Sequence, residues 1–189
     1  GQGLFREGDK VMQIRNNYQL EWEVRGRYGI PVDKGVGVFN GDTGIIRMIN
    51  EFLPEGKLIL YTQGKASPRM DYNSNGKGKY QQLPLTVLID EASASASEIF
   101  AGAIQDYGLG SIVGTTTYGK GIVQQIFDLG DGTCVKLTMA EYYTPNGRNI
   151  HKKGITPDVE VEYQRDENNP NADNQLDAAL EQVRNKINQ

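Results

Sequence analysis

Serine and alanine alternate in Ala92-Ser93-Ala94-Ser95-Ala96-Ser97-Glu98, where an apolar strand pattern gives way to an apolar helix pattern. Leu85-Thr86-Val87-Leu88-Ile89 precedes the run, and Ile99, Phe100, Ala103 and Ile104 follow it at helical spacing. A hydroxyl at such a junction lies beside the N–H groups that open a helix. That position suits a nucleophile whose reaction passes through an oxyanion. A serine hydroxyl is a weak nucleophile, however, and needs a base. One candidate base is Lys120, in Thr117-Tyr118-Gly119-Lys120-Gly121, between glycines that let substrate and backbone approach closely. A lysine acts as a base only when neutral. This reading therefore expects burial that lowers the Lys120 pKa, and a rate that rises with pH. The other candidate is His151, the only histidine, in the basic stretch Asn149-Ile150-His151-Lys152-Lys153-Gly154. It reads better as a solvated loop residue than as part of a Ser-His-Asp set.

Plainer readings compete. Ser95-x-x-Glu98 is a capping box ahead of an apolar helix, and Ser97 could equally be the cap. Lys120 could be a solvated loop lysine. Residue types alone leave these alternatives open. Gly114 to Lys120 also has the G-x-x-x-x-G-K spacing of a phosphate loop. Gly121 stands where that motif needs Ser or Thr, and a strand pattern follows in place of a helix, so nucleotide binding is excluded.

The elements that must position these residues alternate between strand and helix. Lys10 to Arg15 reads as a half-buried edge strand, and Val36 to Phe39 as a short strand before the turn Asn40-Gly41-Asp42. A helix follows from Thr43 to Leu53 and stops at Pro54. Strands are expected at 58–61, 84–89, 111–113 and 158–163, with a helix over about 97–107 ended by Gly108 and Gly110. Residues 63–82 read as a long surface loop. Ile122 to Leu129 and Cys134 to Tyr142 form a hairpin around Gly130-Asp131-Gly132. After a polar linker over 164–172, Leu176, Ala179, Leu180, Val183 and Ile187 line one face of a last helix. The pattern argues an α/β or α+β domain on a mixed sheet.

Composition narrows the function classes. The 189 residues allow one domain with a small appendage. One cysteine, Cys134, rules out an internal disulfide, and with one histidine it leaves a zinc site poorly supplied. A net charge of −4 offers no basic footprint for nucleic acid. No apolar run reaches the roughly 18 residues of a membrane span, and residues 1–7 do not read as a signal peptide.

From about Met48 to Tyr163 the chain resembles the C-terminal processing (tail-specific) serine peptidases. The resemblance rests on several pieces in order: Phe52-Leu53-Pro54-Glu55-Gly56-Lys57, Leu83 to Ile89, and Ser93 to Glu98. Tyr118-Gly119-Lys120-Gly121, Tyr142 to Arg148 and Gly154-Ile155-Thr156-Pro157-Asp158 complete it. The resemblance implies a ClpP/crotonase-like fold, a mixed sheet with flanking helices. It also implies Ser95 as nucleophile, Lys120 as general base, Gln124 as the residue orienting the lysine, and the N–H of Ala96 as an oxyanion donor. No cofactor or metal is implied, the partner is a peptide or protein substrate, and the location is periplasmic or otherwise extracytoplasmic.

The family normally has a PDZ domain and a Gly-rich loop ahead of this region. Here residues 4–46 instead resemble a small β-rich piece of superfamily 1 DNA helicases of the exonuclease V alpha-subunit type, without an ATPase motif. Gly41 or Gly44 would then supply the second oxyanion donor. The expected organisation is a β-rich segment over 1–46, a peptidase core over 47–163, and a linker with helix over 164–189. Two other functions are weighed against the peptidase: a catalytically silent peptide-binding scaffold, and a nucleic-acid-binding fragment acting through residues 4–46. The sequence does not set the oligomeric state.

Overall fold

The structure is a computed structural model that describes residues 11–13, 21–25, 31–36, 48–76, 78–169 and 172–188. Three groups of strands organise it. The first is a parallel sheet in the order β1-β6-β7-β10, formed by Val11–Gln13 (β1), Leu85–Ile89 (β6), Gly110–Gly114 (β7) and Val159–Glu160 (β10). The second is antiparallel, in the order β5-β4-β9-β8, from Met70–Asn73 (β5), Leu58–Gln63 (β4), Cys134–Tyr143 (β9) and Ile122–Asp128 (β8). Glu21–Arg25 (β2) and Pro31–Val36 (β3) pair antiparallel with each other.

Strand β6 carries apolar residues on both sides, with Thr86 the one exception, because both of its faces are covered, as parallel sheets require. All five of its residues are buried. On one face the core gathers Leu85, Val87, Ile89 and Ile112 with Ile99, Phe100, Ala103 and Ile104 of the helix Ala96–Asp106 (α1). On the other, Leu88 and Val113 meet Ala179 of the helix Asn174–Ile187 (α2). Asp173 caps α2, its carboxylate accepting from Gln175 and Leu176 N–H. Helix α1 ends as the sequence predicts. Gly108, at φ +62°, donates to Gln105 O while Leu109 donates to Ile104 O, the paired bonds of a Schellman ending that needs the left-handed residue.

Three expectations change, and one pairing was not foreseen. Val36 is the last residue of β3, which pairs with β2; residues 37–39 of the strand expected at 36–39, and the Gly41 turn after it, lie outside the described residues. The helix expected over 43–53 is described from residue 48 and is helical only to residue 50 before a turn. The loop over 63–82 contains β5, which pairs with β4 although its side chains are mostly exposed. An edge strand with one wet face carries little apolar signal. The strand at 158–163 shrinks to two residues, because pairing with β7 reaches only Val159 and Glu160. The 122–142 hairpin forms as expected, with Asp128 opposite Cys134.

Candidate active site

The chain leaves β6 through Asp90 and turns sharply before α1. Ser93, fully buried, closes that turn: its N–H donates to Asp90 O and its hydroxyl to Asp90 Oδ1 at 2.8 Å. Ser93 O in turn accepts the Tyr118 N–H at 3.0 Å, tying the serine turn to the lysine loop. Ser95 follows at φ 55° and ψ −105°, and is 3% exposed. Among the described residues it shares positive φ with only one other non-glycine, Lys152. A serine held there carries strain of about 1–3 kcal/mol, which neighbouring contacts must over-determine.

Those contacts converge on Glu98, which is fully buried. Glu98 Oε2 accepts the Ser95 N–H at 2.6 Å and the Lys120 N–H at 2.9 Å. Its Oε1 accepts the Gly119 N–H at 2.6 Å and the Thr117 hydroxyl at 2.6 Å. Thr117 Oγ1 itself accepts the Ile155 N–H at 2.7 Å, which leaves its proton for Glu98. Four donors and no acceptor surround the carboxylate, the set that an ionised, acceptor-only group matches. Its place in the first turn of α1 adds the favourable end of the helix dipole. One oxygen thus fixes the backbones of Ser95 and Lys120 together, although they are far apart in sequence.

The other predicted residues fall as follows. Ala96 is the first residue of α1, directly after the strained serine. The Lys120 backbone faces the Glu98 carboxylate, but its side chain is exposed. The burial expected for a neutral lysine is therefore absent: the loop turns its backbone inward and its side chain outward. Gln124 lies exposed on β8 and donates to Thr138 Oγ1 of β9 at 3.5 Å. Gly41 lies outside the described residues. Ser97 is buried within the first turn of α1, its N–H donating to Ala94 O.

His151 is not the solvated residue expected. It is half-buried, and its Nδ1 is enclosed with no hydrogen-bond partner. The loop carrying it is pressed against the lysine loop: Lys152 donates to Gly119 O at 2.8 Å, and a Cβ on Gly121 would stand 2.4 Å from His151 N. Sequence reasoning missed the Glu98 junction. It assigned Glu98 only to the capping box, and the second half of its role comes from a loop some twenty residues on.

A strained serine between a buried parallel strand and a helix N-terminus resembles the nucleophile elbow of serine hydrolases. Comparison with known proteins makes the class specific: residues 41–161 match the description "Peptidase family S41", and the chain belongs to that family. Residues 1–59 match a second description, "ATP-dependent RecD-like DNA helicase SH3 domain". The chain is similar to a carboxyl-terminal-processing protease of Synechocystis, 43% identical over 111 residues, covering 59% of this chain and 26% of that protein. It is also 37% identical over 145 residues to a chloroplastic C-terminal processing peptidase of Tetradesmus obliquus, covering 75% and 30%. Among solved structures, a photosystem II D1 C-terminal processing protease matches with TM-score 0.59 and 36% identity, over 62% of this chain and 30% of that one. The chain thus spans well under half the length of these relatives. Among the described residues no helix is long and apolar enough to cross a membrane, and no cluster of His, Cys, Asp or Glu is placed to hold a metal.

Proposed function

We propose that the chain carries the core of a serine endopeptidase that hydrolyses extended or C-terminal peptide segments through a Ser95–Lys120 dyad. The observation that supports it best is the shared Glu98 oxygen, which holds the strained Ser95 and the Lys120 backbone in one junction. In this reading Ser95 Oγ attacks the peptide carbonyl and Lys120 Nζ takes its proton. The Ala96 N–H bonds the oxyanion, and the amine leaves with the proton returned by Lys120. Water then hydrolyses the acyl-enzyme by the same shuttle. Gln124 orients the lysine, and Gly41 or Gly44 supplies the second donor.

Since Lys120 is exposed without substrate, the bound peptide itself must desolvate it. Tyr118, 70% exposed two residues before Lys120, offers a ring for that cover. A location outside the cytoplasm belongs to the same reading.

The test is hydrolysis of an unstructured protein by wild type, Ser95→Ala and Lys120→Ala. Wild type cleaves and both variants do not; activity surviving in Ser95→Ala overturns the assignment. The exposure of Lys120 favours one alternative, a silent peptide-binding module that keeps the elbow without a working base. A well-folded wild type that binds peptides and cleaves none of them would establish it. Salt-sensitive DNA binding would point instead to the front segment.

A further inference from the structure

Strand β8 ends its sheet: among the described residues β9 pairs with one side of it and no strand pairs with the other. Natural edge strands are blunted by proline, charge or a bulge that twists them away. This one, Ile122-Val123-Gln124-Gln125-Ile126-Phe127-Asp128, has no proline and a single charge at its end. Its bulge lies on the other strand. Val123 faces Ala140 while Gln124 faces Thr138, so the extra residue is Met139 of β9, and β8 keeps its regular alternation. The hairpin exposes Ile126 at 64% on the face it shares with Lys136, and Leu137 at 47% on the opposite face beside Gln125.

We propose that a second copy of this chain pairs with β8, antiparallel, about a two-fold axis through Gln124. In such a pair directly opposed residues share a face, and two-fold symmetry sets one residue opposite itself. Centred on Gln124, the register sets Ile122 against the partner's Ile126 and Val123 against the partner's Gln125. Continued two residues past the strand, it sets Lys120 against the partner's Asp128. Both ends are thereby charge-matched, and Ile122 and Ile126 of the two copies meet on one face. Moving the centre to Gln125 sets Ile122 against Asp128, and moving it to Val123 sets Lys120 against Ile126. A single register satisfies charge and hydrophobicity together.

The pairing would bring a partner carboxylate to Lys120. An opposed carboxylate favours the charged ammonium, so the dimer would be the resting form and the separated chain the active one. That consequence rests on the base role proposed for Lys120, while the dimer itself does not.

The test is mass by light scattering and sedimentation over an about hundredfold concentration range, together with crosslinking. Wild type becomes dimeric with concentration, Ile126→Lys and Asp128→Lys are monomeric, and Lys120→Asp with Asp128→Lys restores the dimer. In a Cys134→Ser background, Gln124→Cys oxidises to a disulfide-linked dimer. Ile126→Cys, which the register separates from its own copy by roughly 13 Å, does not. A monomer at every concentration, a dimer indifferent to Ile126→Lys, or equal crosslinking at positions 124 and 126 would each overturn the pairing. Loss of peptidase activity in Lys120→Ala with the dimer intact would leave the two proposals separately judged.

Discussion

Replacing Glu98 by glutamine changes one atom of the carboxylate and two of its four hydrogen bonds. The retained amide oxygen can serve the Thr117 hydroxyl and Gly119 N–H, which now meet Oε1. The new NH₂ then faces the N–H groups of Ser95 and Lys120, donor against donor. Two buried donors lose an acceptor at about 1–3 kcal/mol each. Glu98 is fully buried and Ser95 nearly so, so we expect a total loss of about 3–5 kcal/mol. That is the scale of breaking a buried charge interaction. For a chain of this size the melting temperature should fall by roughly 10 °C. Urea unfolding with an unchanged slope measures the loss directly. Peptidase activity should fall further than stability at temperatures where the variant is still folded, since the serine and the lysine lose their common anchor. A stability loss under about 1 kcal/mol would reduce Glu98 to an ordinary helix cap.

Three further outcomes follow from the same geometry. Ser95→Gly should be more stable than Ser95→Ala by about 1 kcal/mol, because glycine adopts φ 55° without strain while alanine does not; thermal melts of the two variants check it. Gly121→Ala should destabilise by about 1–3 kcal/mol and depress activity, because its Cβ would stand 2.4 Å from His151 N and force the two loops apart; melts and turnover assays read both. Tyr107 bears on alkaline stability: burial, chiefly, and the nearby Asp106 charge raise its pKa above 10.0. A folded pKa above the unfolded one stabilises fully below the unfolded value and is lost as pH rises through the folded value. Stability should therefore drop above pH 10. Tyr107→Phe should flatten that drop, at a cost of about 1 kcal/mol at neutral pH for the lost bond to Leu58 O.

The buried parallel strand, α1, the 122–142 hairpin and the last helix were legible because each carries a strong local pattern. Leu85–Ile89 is apolar but for Thr86, Gly108 marks the helix end, and Gly130-Asp131-Gly132 marks the hairpin turn. Strand β5 was not legible, since Met70 to Asn73 owes its place to pairing with β4 and buries little. The family resemblance pointed to Ser95 and Lys120. The residue that joins them was hidden, because a glutamate in a capping box looks the same whether or not a distant loop also binds it. His151 was misread for a similar reason: its enclosure comes from the packing of residues 150–154 on Gly119 to Gly121, which no local pattern encodes. The exposure of Lys120 likewise reflects which way a glycine-flanked loop faces.

The most direct test of the account is a crystal structure of the protein with a peptide boronate. Boron should be tetrahedral and bonded to Ser95 Oγ, with Lys120 Nζ roughly 3 Å from that oxygen and the Ala96 N–H on a boronate oxygen. Glu98 would still bridge the backbones of residues 95 and 120. Boron bonded to another residue, or a Lys120 amine still pointing into solvent with Ser95 modified, would contradict it.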